Sequence, residues 1–398
     1  MRTALRRYYL VNIFGKAAFM SDESYVLRTM LELIRIDSES LNEREAADYV
    51  ASRLREMGVE TAEDGAGAAL GGNAGNLTAL LKGSVPGAPT IMLNAHLDTV
   101  KPGKGVRPVV EDGVVRASGD TILGSDDKAG VAAIIDTVRR LKEECAPHGD
   151  ILLVFTVAEE LGIKGAAKLD PAVLKADFGY ALDSSGGPGE IIIGSPTHDK
   201  ITAVITGRAA HAGIEPEKGV SAIRVAADAI ASMKLGRIDD ETTANVGVIR
   251  GGLATNIIPE SVTIEAEARS RNADKLTAQI GHMREALERA AANADARIDI
   301  RINREYSAYM LGEDCPAVKT AVEAARAAGI EPSLRTSGGG SDANVFNHIG
   351  LPTATLGIGM RNCHSTKEHI YISDLKAVAR FVYEIVMRAA AVAKEAGA

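Results

Sequence analysis

The sequence predicts an α/β protein with a mixed open sheet covered by helices on both faces and a smaller α+β unit inserted into it. Three observations support this fold. The chain has 398 residues, which is too many for one ordinary compact core. Helix and strand patterns alternate towards both ends of the chain, and several strands are apolar on both faces, as in a sheet covered from both sides. The middle of the chain follows a different order of elements.

Residues 21–196 are predicted to form the first part of the α/β domain. The stretch SLNEREAADYVASRLREMG is typical of a helix that begins with a capping box of Ser40 and Glu43 and ends at Gly58. A second helix is predicted in DDKAGVAAIIDTVRRLKEE, and Asp112-Gly113 is a plausible hairpin turn. Apolar runs predict strands in NLTALLKG, TIMLNAHL, ILLVFTVA and DFGYALD.

Residues 197–305 are predicted to form the inserted unit. Strand patterns in KITAVITG, TANVGVIRGG, SVTIEAEARS and RIDIRINREY combine with two helical stretches into the order β-α-β-β-α-β, which is typical of a ferredoxin-like unit. Residues 306–398 return to the first pattern, with the strand PTATLGIG and a helix from Ser373. Residues 1–20 are predicted to be a disordered extension, with Met20 as an alternative start.

Composition argues against several functional classes. The formal net charge is −8 and no basic run is present, which argues against nucleic-acid binding. No apolar run is long enough to cross a bilayer. The three cysteines are Cys145, Cys315 and Cys363, an odd number without paired spacing. A disulfide framework is therefore not expected, and a reducing cytoplasm fits best.

Titratable side chains follow the predicted strands at their ends. His96 and Asp98 point to the same side of a strand, as a metal-bound imidazole and the carboxylate that orients it would do. An ordinary solvated strand end has the same pattern. In LGSDDKAG, helix capping explains one acidic residue easily and two moderately well. The functional alternative makes Asp126 a ligand that bridges two cations, with Asp127 near the helix start.

A further pair of acids ends the core strand ILLVFTVA. Glu159 and Glu160 lie where open α/β sheets usually place their sites. A solvated turn explains the pair equally well, whereas the chemical alternative makes one carboxylate a metal ligand and the other a general base. Asp183 ends the next strand, and His364 follows PTATLGIG, with Cys363 and His369 as weaker candidates. Imidazole with carboxylate suits zinc, cobalt or manganese.

The stretches LGSDDKAG, GRAAHAGIEPEKGVSAI and SGGGSDANVF resemble the dinuclear zinc exopeptidases of the peptidase T, glutamate carboxypeptidase and aminoacylase type, and peptidase T and its shorter relatives most of all. The resemblance runs from Met20 to the C-terminus and implies two divalent metal ions, with zinc favoured over cobalt and manganese. It implies these roles: His96 and Asp183 for one metal, Glu160 and His364 for the other, Asp126 between them, Asp98 orienting His96, and Glu159 as general base.

The resemblance also implies substrate contacts. His211 would approach the active site, in some members of the family from the partner subunit, and Asn256 and Arg269 match positions that contact substrate. Pairing of Arg269 with a carboxylate on its own sheet is an equal alternative. Gly338 to Gly340 would bring backbone N–H groups, that of Gly340 included, towards a substrate carboxylate, unless they are only a flexible connector.

The resemblance therefore implies a metal-dependent aminopeptidase that acts on short peptides, tripeptides in particular. Asp183 favours this peptidase branch, since desuccinylase and aminoacylase relatives tend to carry Glu there. A carboxypeptidase or an N-acyl-amino-acid deacylase is the alternative, because the metal centre is shared by these activities. A relative that binds metal or peptide without turnover is the third hypothesis, and Glu159 argues against it. The resemblance implies a homodimer through the inserted domain, which would close over the substrate.

Overall fold

The computed structural model describes residues 25–396, with side chains described as far as Ala391. The predicted extension 1–20 and the alternative start at Met20 lie outside these residues. Within the described part, no helix combines the length and the apolar character that crossing a bilayer requires.

The described helices alternate with strands over most of the chain. The helices are α1 (Tyr25–Ile34), α2 (Arg44–Glu56), α3 (Ala66–Leu70), α4 (Ser125–Glu143), α5 (Ala222–Ala231), α6 (Ala273–Asn293), α7 (Pro316–Ala327), α8 (Ala343–His348) and α9 (Ile372–Ala396). The strands are β1 (Thr61–Glu63), β2 (Leu77–Leu81), β3 (Ile91–His96), β4 (Pro108–Glu111), β5 (Val114–Ala117), β6 (Ile151–Thr156), β7 (Phe178–Ser184), β8 (Glu190–Ser195), β9 (Thr197–Thr206), β10 (Gly236–Arg237), β11 (Thr242–Gly251), β12 (Ser261–Ser270), β13 (Arg297–Tyr306), β14 (Tyr309–Met310), β15 (Ser333–Thr336), β16 (Thr353–Gly357), β17 (Met360–Arg361) and β18 (His369–Tyr371).

The largest described sheet has the strand order β1-β2-β6-β3-β7-β16-β8-β14, with β15 also paired to β8. Strands β6, β3, β7 and β16 are parallel to their neighbours in this group, whereas β2 and β8 join it in antiparallel pairs. The predicted mixed open sheet is therefore confirmed. Because the four parallel strands share a direction, their carboxyl ends meet at one edge of the sheet.

Alternating side chains of the central strands pack into two different cores. On β3, Ile91 and Leu93 pack in a large core with residues of α1, α4, α7 and α9. Met92 points the other way and packs with Phe346 of α8 and with short 3-10 turns. Both faces of β3 are buried for this reason, which explains why the strand is apolar throughout.

The inserted unit has a sheet and a core of its own. The strand order is β10-β11-β12-β9-β13, and β11, β12, β9 and β13 pair antiparallel in the ferredoxin-like arrangement. Apolar residues on one face of the sheet pack with α5 and α6. The other face carries polar side chains such as His198 and Glu267, which line a cleft. A domain division at residues 196/197 and 305/306 stays a prediction.

The structure also corrects the sequence analysis. The predicted capping box at Ser40 and Glu43 is wrong: α2 begins at Arg44, and Glu43 makes no side-chain cap. Tertiary contacts take both side chains, since the Ser40 hydroxyl donates to Asp98 and Glu43 accepts from the Ala158 N–H. The hairpin at Asp112-Gly113 is present, but its strands join β17 and β18 in a small sheet that was not predicted.

Candidate metal centre and substrate cleft

The candidate site lies at the shared edge of the parallel strands. His96 is the last residue of β3, Asp183 lies near the end of β7, and Glu159 and Glu160 follow β6. His364 comes from the loop between β17 and β18, beyond the end of β16. Side chains that lie far apart in the sequence meet here because parallel strands end together.

Asp126 lies between the two predicted histidine ligands. Its Oδ1 is 3.1 Å from His96 Nε2, and its Oδ2 is 3.3 Å from His364 Nε2. Each carboxylate oxygen therefore faces a different imidazole, as a carboxylate bridging two cations would do. The side chain of His96 is buried, whereas that of His364 is 54% exposed and borders the cleft.

The remaining predicted ligands complete two groups around Asp126. Asp183 Oδ1 lies 3.9 Å from His96 Nε2, and Glu160 Oε1 lies 2.9 Å from His364 Nε2. Donor atoms of His96, Glu159 and Asp183 lie within 4.8 Å of one another, as do those of His96, Asp126 and Glu160. The structure therefore brings all five predicted ligands and the predicted base together.

The charge of this group fits a pair of divalent cations. Burial raises the pKa values of Glu159, Glu160 and Asp183 above those of exposed carboxyls, and nearby carboxylates raise them further. Hydrogen bonds with Asp126 and Glu160 raise the pKa of His364 to about 11. The negative charge of the clustered carboxylates is therefore larger than the positive charge that two imidazoles are able to provide. Zinc, cobalt and manganese all bind to sets of oxygen and nitrogen donors such as this one.

Asp98 is fixed between His96 and the acidic pair. His96 Nδ1 lies 2.9 Å from the backbone carbonyl oxygen of Asp98 and 3.5 Å from its Oδ1. The Asp98 carboxylate also accepts hydrogen bonds from the N–H groups of Glu159 (2.9 Å) and Glu160 (3.2 Å). Asp98 therefore contacts the imidazole and also holds the turn that carries the predicted base, a second contact that the sequence analysis did not foresee.

Four buried acidic residues near the site were not assigned these contacts from sequence. Asp127, joined to Asp126 by a cis peptide bond, accepts from the His96 N–H at 3.1 Å. Asp342 accepts from Asn94 and Thr156 below the site. Glu43 accepts a hydrogen bond from the Ala158 N–H, and Glu368 accepts one from the Asp126 N–H. Asp342 stands inside the stretch SGGGSDANVF, and Glu368 lies between the candidates His364 and His369, so each is close in sequence to a predicted site residue.

The two weaker candidates lie differently. Cys363 borders the cleft next to His364. His369 lies in β18, paired with Arg116, and its Nδ1 is 3.0 Å from the Lys367 carbonyl oxygen. His369 is therefore part of the small sheet, and it does not line the cleft.

A cleft of about 700 Å³ separates the metal-centre residues from the polar face of the inserted sheet. Arg269 lines it and pairs with Glu267 on its own strand at 3.0 Å, the alternative left open by the sequence. Its Nε is buried, with no hydrogen-bond partner among the described residues. At Gly340, an added Cβ would lie 2.3 Å from the Tyr306 ring, so the tyrosine requires glycine there.

Two predicted substrate contacts do not reach this cleft. His211 and Asn256 are exposed on neighbouring loops of the inserted unit, joined by the hydrogen bond from the Ala212 N–H to the Asn256 carbonyl. Neither residue lines the cleft. Large apolar side chains are exposed around the same loops and strand ends, with exposed fractions of 94% at Leu253, 75% at Ile214 and 50% at Ile249.

Comparisons with known proteins agree with this geometry. A sequence model of peptidase family M20/M25/M40 matches residues 92–388. The uncharacterized protein YqjE of Bacillus subtilis (strain 168) is 45% identical over 371 residues, which are 93% of this chain and 100% of the relative. The solved structure of aminopeptidase PepT from Bacillus cereus ATCC 10987 is 43% identical, with a TM-score of 0.84 over 92% of this chain and 99% of that protein. A tripeptidase from Staphylococcus aureus subsp. aureus mu50 is 39% identical, with a TM-score of 0.88 over 93% of this chain and 99% of that one. The chain therefore belongs to peptidase family M20/M25/M40.

Proposed function

We propose that the protein is a metal-dependent aminopeptidase that releases the N-terminal residue from short peptides, tripeptides in particular. The observation that carries the metal-dependent hydrolysis is the position of Asp126, with one carboxylate oxygen facing each of His96 and His364, next to the buried acid Glu159. The similarity to an aminopeptidase PepT and to a tripeptidase favours this substrate class.

The donor set fits two divalent cations, and zinc is favoured over cobalt or manganese. His96 and Asp183 would hold one ion, Glu160 and His364 the other, and Asp126 both. When bound, such ions polarise a scissile carbonyl and lower the pKa of a water molecule. The separation of the histidines on either side of Asp126 supports this assignment.

Glu159 is the proposed general base. Burial and the nearby Asp183 carboxylate raise its pKa above that of an exposed carboxyl, which is the direction a general base needs. Glu159 would take a proton from the attacking water and deliver it to the leaving amine. Its place at the border of the cleft supports this role, and the Asp98 carboxylate, which accepts from the Glu159 N–H, fixes the backbone at that point.

We also propose that the inserted domain closes over the substrate and forms a homodimer. His211 and Asn256 lie outside the cleft of their own subunit, and the exposed apolar side chains of Leu253 and Ile214 surround the same loops. Contact between two copies would bury these side chains and bring His211 and Asn256 towards the cleft of the partner. A cytoplasmic location is proposed as well, because all three cysteines are unpaired.

A carboxypeptidase or an N-acyl-amino-acid deacylase is the second candidate. The observation that favours it is the buried, unpartnered Nε of Arg269 at the cleft, since a guanidinium is well suited to bind a substrate carboxylate. The metal centre is the same in both cases, so recognition of the substrate ends decides between them.

The test is hydrolysis by purified protein supplied with zinc, cobalt or manganese. A free tripeptide, the same tripeptide with an acetylated N-terminus, and an N-acetyl amino acid are compared, and products are identified by mass spectrometry. Release of the first residue from the free tripeptide alone is the expected result. Cleavage of a blocked substrate would favour the second candidate. Absence of cleavage with metal bound would favour a relative that binds without turnover.

A further inference from the structure

Glu368 is buried between two loops that carry predicted metal ligands. Its Oε2 accepts from the N–H groups of Leu123 and Gly124, both at 2.9 Å. Its Oε1 accepts from the Ser125 hydroxyl at 2.6 Å and from the Asp126 N–H at 3.2 Å. One carboxylate thus accepts from four consecutive residues, three through their backbone N–H groups and Ser125 through its hydroxyl, and the last of them, Asp126, lies between the two histidines.

The segment that Glu368 holds has no comparable local support. Helix α4 begins at Ser125, but its N-cap residue, Gly124, contributes no side-chain cap. Asp126 and Asp127 have non-helical backbone angles. The N–H groups of Leu123, Gly124 and Asp126 precede the regular part of α4, so they need an acceptor outside the helix, and a carboxylate is a strong one. Glu368 supplies that carboxylate from a segment 242 residues away along the chain.

Glu368 also shares a loop with His364. The loop is closed by the pairing of β17 with β18, in which Met360 lies opposite Ile370 and Arg361 opposite His369. Inside it the Glu368 N–H donates to the Ser365 carbonyl at 3.1 Å. The loop that presents His364 is therefore tied, through one side chain, to the segment that presents Asp126.

We infer that Glu368 is a positioning residue of the metal centre, which fixes the Asp126 carboxylate relative to His364 and so sets the affinity for both metal ions. The inference rests on the metal centre of the proposed function, and it adds a residue that contacts neither substrate nor metal. Residues that hold metal ligands in place typically change metal affinity by about 10–100-fold when they are replaced.

The test compares Glu368→Gln with the parent protein. Glutamine has nearly the same shape as glutamate. Two donors face each carboxylate oxygen of Glu368, so the NH₂ group of glutamine would place N–H donors opposite two other donors. Glu323→Gln on α7 is the matched control, because it makes the same charge change at an exposed position. Zinc affinity is measured by competition with a chelator, and the visible absorption of bound Co²⁺ reports ligand geometry.

In folded Glu368→Gln we expect both zinc ions to bind about 10–100-fold more weakly and the Co²⁺ spectrum to change, with Glu323→Gln like the parent. A role in stability alone would lower the thermal midpoint of the metal-free protein and leave these two readouts as in the parent. Parental affinity and spectrum in the folded variant would overturn the inference. If Glu368→Gln does not fold, Glu368→Asp, which keeps the charge on a shorter side chain, is subject to the same criteria.

These readouts are independent of the substrate. If the parent binds two metal ions but does not cleave peptides, the proposed activity fails and the inference about Glu368 is still tested. If the parent cleaves tripeptides and Glu368→Gln binds metal as the parent does, only the inference about Glu368 fails.

Discussion

At the scale of single residues, Asp126 occupies the central position of the site. Each of its two carboxylate oxygens lies near one of the two predicted histidine ligands, at 3.1 Å from His96 and 3.3 Å from His364. Hydrogen bonds with His364 and His96 lower its pKa although it is buried, so the group stays ionised. The two metal positions should therefore depend on the same side chain.

Replacement of this shared carboxylate should release both metal ions. We expect Asp126→Asn to retain less than about one tenth of the parental metal affinity at each position, because an amide is a weaker ligand and removes a negative charge from between two cations. Metal content after gel filtration, measured by mass spectrometry, checks this expectation. Asp120→Asn, at an exposed position in the preceding loop, is the control. Two tightly bound ions in Asp126→Asn would contradict the bridging role.

Glu159 should behave in the opposite way. We expect Glu159→Gln to keep its metal ions and to lose activity on a tripeptide by about 10²–10⁴-fold, as is typical when a general base is removed. Steady-state kinetics and metal analysis on the same sample separate the two effects. Loss of metal together with activity would make Glu159 a ligand rather than the base, and unchanged hydrolysis would assign the proton transfer to another group.

At the scale of elements, the start of α4 is packed tightly against β7. A Cβ added at Gly130 would lie 2.3 Å from Asp127 Oδ1 and 2.7 Å from the Leu182 carbonyl oxygen. The absence of a side chain at Gly130 lets the helix approach the strand. This close approach places Asp127 where it accepts from the His96 N–H.

A methyl group at this contact should destabilise the fold. We expect Gly130→Ala to lower the free energy of unfolding by about 1–3 kcal/mol, because the added atom has no space. Gly281→Ala in α6 is the matched control: nothing lies within 4 Å of its added Cβ, and alanine favours a helix by up to about 1 kcal/mol over glycine. Urea unfolding of both variants checks the opposite signs. Equal effects in the two variants would contradict the packing argument.

At the scale of the whole molecule, the inserted sheet supplies one wall of the cleft, and the loops of the same unit carry the apolar side chains proposed to contact a second copy. Its polar face is directed to the cleft, whereas the loops with His211 and Asn256 lie elsewhere. Leu253, Ile214 and Ile249 around those loops are exposed, and burying them is what the proposed contact with a second copy would achieve.

A charge placed in this apolar surface should separate the proposed dimer. We expect Leu253→Glu to be a monomer by light scattering and to lose most of its tripeptide hydrolysis while keeping its metal ions, because His211 and Asn256 of the partner would be absent. Val173→Glu, at another exposed apolar position far along the chain, should leave mass and activity unchanged. A fully active monomer in Leu253→Glu would contradict the contribution of the partner subunit.

The sequence by itself determined the mixed sheet, the β-α-β-β-α-β order of the inserted unit and the candidate ligands at the strand ends. Apolar periodicity reports burial on each strand, and an acid or histidine after a buried strand is visible in the letters alone. Glu159, Glu160, Asp183 and His96 were found in this way.

Only the tertiary structure decided which groups hold those ligands. Ser40 and Glu43 match the sequence pattern of a capping box. In the structure, however, the Ser40 hydroxyl donates to Asp98, and the Glu43 carboxylate accepts from the Ala158 N–H. Glu368 lies 242 residues from Asp126, so no local pattern connects them. Hydrogen bonds of buried polar groups are made with whatever partner folding brings near, and that proximity depends on the packing of the whole chain rather than on neighbouring residues.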